Sequence, residues 1–178
     1  MTEQLAIAAR CLIGVVFVLS AAGKLRSGTA FAEFARSGRA LTGALLGGRP
    51  IGRAAGLWVG AAVVAAEVAV VALLAVTATA RAGFALAVVL LLGFTAGLLA
   101  EMRRGTRTPC RCFGASSTPI GRRHIVRNAA LIALSLAGFT AAFAAGQSPL
   151  PHPAAVAAGA VLALVVARLD DLVELFAS

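Results

Sequence analysis

The chain has no tyrosine and a single tryptophan in 178 residues, so any belt of interfacial aromatics is thin. It has three cysteines and two histidines, too few for a disulfide scaffold. Charge is scarce: 13% of residues are Asp, Glu, Lys or Arg, where soluble domains carry roughly 25%. With 60% hydrophobic residues and a mean hydropathy of +0.94, the chain has more apolar surface than a soluble core can hide. A water-soluble globule is thereby excluded and an integral membrane protein implied. The chain also lacks a P-loop, a Ser–His–Asp set and a dinucleotide fingerprint. No internal repeat, low-complexity linker or second domain is visible, so residues 1–178 read as a single membrane domain.

What is present is apolar runs. Five are long enough to span a bilayer, which asks for about 20 helical residues. They cover 5–23, 54–76, 82–100, 125–146 and 154–176. The fold class expected is all-α: a polytopic transmembrane helix bundle of four core spans and a fifth, C-terminal one. Gly and Ala in every span favour close helix packing. Ser20-Ala21-Ala22 resembles a signal-peptide cleavage site, but Lys24 and Arg26 follow at once, and the run is read as a retained span. The segment FAEFARSGRALTGALL, 31–46, has Phe31, Phe34 and Leu41 near helical spacing and reads as an amphipathic helix lying on the membrane. Pro149, Pro151 and Pro153 mark a hairpin before the fifth span, with His152 a solvated residue within it.

Net charge is +9, and thirteen of the sixteen Lys and Arg residues fall in 24–53 and 103–127. In a soluble protein such a balance would suggest nucleic acid; here it is the pattern of the positive-inside rule, and no nucleic-acid partner is expected. The two basic loops, 24–53 and 101–124, are separated by two spans and so share a side. The expectation is a multi-pass protein of the plasma (inner) membrane, in contact with its lipids. Both loops are cytoplasmic, the N-terminus is outside and the C-terminus inside. Arg81 is the one basic residue of an outer link.

Two of the cysteines lie in TPCRCFGASS, 108–117. A Cys-x-Cys disulfide closes a small, strained ring, and strained disulfides exchange easily. Arg103, Arg104, Arg107, Arg111, Arg122 and Arg123 surround Cys110 and Cys112 in sequence and would favour thiolate over thiol. Gly114 supplies backbone freedom and Phe113 a possible anchor. The bland alternative is an inert pair, though inert cysteines usually sit in apolar runs. A metal alternative has Cys110, Cys112 and His124 but no evident fourth ligand, so neither metal nor cofactor is expected. Cys11, a lone membrane cysteine, reads as a small hydrophobe.

Glu67 interrupts VVAA and VAVVALL in the second span, where an ionised carboxylate is costly without a partner. Arg10 and Arg127 are the candidates, and depth favours Arg10. A proton or substrate relay and a structural clamp are both open at this point. Arg127 and Asn128 open the fourth span, where Arg127 either bonds the Cys loop or snorkels to the interface. Ser20 and Lys24 close the first span, with Lys24 expected to snorkel.

FVLSAAGKL at the end of the first span, the lone Glu67, CRCFG and the RN that opens the fourth span resemble the MauE family of membrane proteins, related to DoxX-like proteins. The similarity covers roughly 5–146. It implies a role in methylamine utilisation: helping to mature, process or export the disulfide-rich small subunit of methylamine dehydrogenase, with a thioredoxin-like redox partner. By resemblance Cys110 and Cys112 are the working thiols, and Glu67, Lys24, Arg127 and Asn128 the supporting polar positions. Arg111 stands where the family pattern leads one to expect Gly. The expected activity is that of a thiol–disulfide oxidoreductase acting on a disulfide-bearing client, with Glu67 handling protons. The alternatives are a transporter or export helper using Glu67, and a non-catalytic assembly scaffold. Disulfides persist outside the cytoplasm, whereas the charge bias puts the pair inside. The bias carries more weight because thirteen residues support it.

Overall fold

The computed structural model describes residues 2–104, 122–144 and 153–167. All their regular structure is helical: α1 (Thr2–Leu25), α2 (Gly28–Leu45), α3 (Arg53–Ala75), α4 (Ala80–Arg103), α5 (Arg122–Ala144) and α6 (Pro153–Ala167), with a 3-10 turn at Thr77–Thr79. No proline falls inside α1 to α5, so nothing in these runs removes a helix hydrogen bond. Four stretches are long and apolar enough to cross a membrane: Glu3–Leu25, Arg53–Ala75, Thr77–Arg103 and His124–Phe143. These match the first four expected spans to within a few residues. The protein is a multi-pass membrane protein built as a helix bundle. Of the fifth expected span, the part up to Ala167 is helical and packs on α1. Its amphipathic end, and most of the proline hairpin, lie outside the described residues.

Polarity runs opposite to that of a soluble domain. Trp58, Val89, Val126 and Phe143 face outwards, while Ser20, Lys24, Glu67, Asn128 and Ser135 are buried. The outward apolar faces meet lipid, which solvates them as well as a protein core would. Burying leucine between helices therefore gains little, and close van der Waals packing has to hold the bundle together. Ile13, Val16, Phe17, Val70, Phe84, Leu91 and Leu131 form its centre, where α1, α3, α4 and α5 meet.

α1 is long enough to cross alone, and α2 packs on α3 and α4 after it. α1 stops at Leu25, and Ser27 adopts extended backbone while its Oγ accepts a hydrogen bond from Ala30 N at 3.1 Å, capping α2. α2 then runs along the N-terminal part of α3: Ala35 and Phe31 lie over Gly60, and the stem of Arg39 lies over Gly56. The later part of α3 is covered by α1. The amphipathic helix expected over 31–46 is therefore present, but its apolar face (Phe34, Ala35 and Leu41) is buried in the bundle. That face packs on α3 and α4 instead of being left for lipid. The helix ends in two left-handed glycines, Gly47 (φ 73°) and Gly48 (φ 89°), with Gly48 N donating to Gly43 O at 2.8 Å.

Arg10 ties α1 to the far end of α3. Its Nε donates to Leu74 O (2.9 Å), one terminal nitrogen to Ala75 O (3.1 Å) and the other to Thr77 Oγ1 (3.1 Å). Leu74 O and Ala75 O are carbonyls of the last turn that no helical N–H satisfies, at the negative pole of α3. Replacement of Arg10 by Met is expected to lower stability by roughly 1–3 kcal/mol, the range for hydrogen bonds to a charged group. Thermal unfolding in detergent, with Arg10→Lys retaining part of the effect, checks this.

Candidate functional site

Glu67 stands near the middle of α3, about 21 Å along the axis from Arg53 at 1.5 Å per residue. A carboxylate at that depth requires a partner. The partner is Lys24: its Nζ lies 2.6 Å from Glu67 Oε1, with side-chain exposures of 1% and 0%. Ser20, one turn earlier on α1, completes the group. Lys24 Nζ donates to Ser20 Oγ at 2.6 Å, and Ser20 Oγ donates to Glu67 Oε1 at 3.0 Å. Among the described residues, Glu67 Oε2 has no hydrogen-bond partner.

Two aromatic rings enclose the ammonium. Phe34 of α2 has its centroid 4.7 Å from Nζ, and Phe94 of α4 lies at 5.8 Å. A ring face attracts a cation electrostatically, and more so when water is excluded. Four helices thus converge on one amine: α1 supplies it, α3 the counter-ion, and α2 and α4 the rings. Lys24 also sits in the last turn of α1, where the helix dipole favours a cation.

The expected pairing of Glu67 with Arg10 is corrected here. Arg10 spends its donors on the end of α3. Lys24 does not snorkel either. The Lys24 stem points back into the protein, beneath Phe34 of α2 and Phe94 of α4, and its amine reaches Glu67. Arg127 is also buried, which rules out snorkelling to the interface. Asn128 Nδ2 donates to Thr95 Oγ1 at 3.2 Å, linking α5 to α4 one residue beyond Phe94. Lys24 and Glu67 are therefore joined directly, while Asn128 belongs to the adjoining α4–α5 seam. Cys110, Arg111 and Cys112 lie outside the described residues. Cys11 is a free, half-buried cysteine beside Gly159 of α6.

Four residues were not assigned to a site by the reading of the sequence. Ser20 had a legible signal, its i,i+4 spacing to Lys24 on one helix face. Phe34 and Phe94 had none, being two apolar residues among many. Glu101, buried at the end of α4, likewise drew no attention beforehand.

A family model described as methylamine utilisation protein MauE matches residues 2–142. The chain belongs to the MauE family. The match takes in α1 to α4 and nearly all of α5, and with them Lys24, Glu67, Cys110, Cys112, Arg127 and Asn128. α6 lies beyond it, so in this MauE-family protein the helix that packs on α1 is outside the family stretch. Neither a curated protein nor a solved structure gives a significant match.

Proposed function

We propose that this MauE-family protein exchanges thiols and disulfides at the basic end of its bundle, in the maturation of a disulfide-bearing client. The observation that carries the reading is Cys110-Arg111-Cys112, which falls within the family stretch and in the chain's most basic segment. A client dithiol attacks the Cys110–Cys112 disulfide. That bond breaks, a client disulfide forms, and both electrons and both protons pass to Cys110 and Cys112. Exchange with the disulfide of a thioredoxin-like partner restores the pair and leaves the partner reduced. Arg111 and its neighbours favour the thiolate that each attack needs. Glu67, held by Lys24, serves the proton movements. By family the client is the small subunit of methylamine dehydrogenase. The protein sits in the plasma membrane with both basic loops cytoplasmic, the N-terminus outside and the C-terminus inside.

Differential alkylation with mass spectrometry after mild oxidant is expected to find Cys110 and Cys112 linked. One of the single Cys→Ser variants should accumulate a mixed disulfide with partner or client, and the double variant none. The reading fails if the pair never links and Cys112→Ser leaves client maturation untouched. A membrane-impermeant thiol reagent on intact cells, expected to leave both unlabelled, checks the side.

The buried carboxylate favours one second reading, a transporter or export helper that uses Glu67. It differs in outcome: Glu67→Gln would abolish function while the double Cys→Ser variant worked normally. A non-catalytic assembly scaffold would tolerate both changes.

A further inference from the structure

We propose that the arginine-lined cavity at the basic end of the bundle binds a phosphate-bearing anion at the level of the lipid headgroups. The cavity, about 670 Å³, opens between α2, the turn after it and the C-terminal end of α4. Arg36, Arg39, Arg49 and Arg104 line it, together with Glu33 and Glu101. Four cations against two carboxylates leave a surplus of two positive charges. None of the four arginines forms an ion pair or side-chain hydrogen bond with another described residue. A planar guanidinium presents a fork of donors that matches the oxygens of a phosphate, and four arginines line this one space.

Two of the guanidiniums are held in place by glycine. Any side chain at Gly48 would overlap the head of Arg104, and Gly48 already has the left-handed backbone that glycine tolerates best. The stem of Arg39 lies against Gly56, where a Cβ would come within 3.1 Å of it. Such seating reduces the rotamer entropy that long basic side chains lose on binding. A smaller cavity of about 310 Å³ shares Arg36 and Arg39 and adds Arg53, widening the cationic surface around the start of α3.

Depth indicates the kind of anion. α3 starts at Arg53 and α4 ends at Arg103, so the cavity lies where these spans leave the hydrocarbon. At that depth the abundant phosphates belong to lipids, and an anionic headgroup brings the net charge the cavity lacks. A soluble phosphate compound offers the same chemistry from the aqueous side. The proposal does not depend on thiol exchange at Cys110 and Cys112.

The test uses the purified full-length protein. Native mass spectrometry after equilibration with phosphatidylglycerol or phosphatidylcholine reads lipid retention. A parallel thermal-shift series uses inorganic phosphate. Phosphatidylglycerol is expected to be retained in preference, with affinity falling roughly fivefold for each arginine removed and about 25-fold in the combined Arg49→Gln, Arg104→Gln variant. Arg81→Gln, at the opposite end of the bundle, should change nothing. If phosphatidylglycerol shows no preference but phosphate protects the unaltered protein and not the double variant, the anion site stands with a soluble source. Absence of both effects, or an equal loss in Arg81→Gln, overturns the proposal. Should the double variant not fold, ionic strength decides on the unaltered protein: the preference must shrink as salt rises, and one that salt leaves unmoved is not electrostatic.

Discussion

Lys24→Met alone, or Glu67→Leu alone, is expected to destabilise the bundle by about 3–5 kcal/mol, whereas the combined Lys24→Met, Glu67→Leu variant recovers most of that loss. The asymmetry follows from burial. Both side chains are removed from solvent, so deleting one strands a charge, or a stripped polar group, in a space with no water to solvate it. Replacing both removes the desolvation cost together with the attraction. Ser20→Ala, which takes away a hydrogen bond to Glu67 Oε1 and one from Lys24 Nζ but strands no charge, should cost less, about 1.5–3 kcal/mol. A double-mutant cycle on detergent-solubilised protein, read by thermal or SDS-driven unfolding, isolates the pairwise term. Additive single effects would show that the two residues do not meet. The same cycle bears on function. A double variant that folds well yet fails to support client maturation assigns the pair a working role, and one that supports it makes the pair a clamp.

Gly138→Val should be the most damaging single change away from the ion pair. Gly138 of α5 faces the centre where α1 and α4 pass, and any Cβ there would overlap the edge of the Phe84 ring and lie 3.0 Å from Cβ of Ala9. Phe84 is fully buried in the close-packed centre, so its ring can give way only by displacing its neighbours. Overpacking of this kind costs about 1–3 kcal/mol, and a β-branched residue falls towards the upper end. Phe84→Leu, itself a cavity-forming change, should become milder when combined with Gly138→Ala than it is alone. That reversal, seen as a higher unfolding midpoint for the pair than for Phe84→Leu, is something only direct contact produces.

The spans were legible because hydrocarbon thickness leaves a plain trace in hydropathy, and the four that the structure carries start and stop near where the apolar runs do. Glu67 was legible for the same reason, as a carboxylate where water is absent. Its partner was not. Counting Lys24 among the thirteen orientation charges placed it at the membrane surface, and reckoning depth along straight helices then pointed to Arg10. The error lies in the direction taken by the Lys24 side chain. Ser27 ends one helix and caps the next, so Lys24 is held inside the bundle and α2 carries the basic charge. Nothing in hydropathy distinguishes a lysine that leaves the membrane from one that turns back into it. Phe34 and Phe94 were illegible in a stronger sense, since only tertiary packing brings residues from α2 and α4 over the same amine.

The ion pair joins residues 43 positions apart in the chain, and the lysine is synthesised first. As α1 enters the bilayer, its cation has no counter-ion until the ribosome has made α2 and most of α3. A chain truncated before Glu67 is therefore expected to seat α1 less firmly than the full-length one. The spacing between two side chains sets the earliest moment at which the ion pair can form.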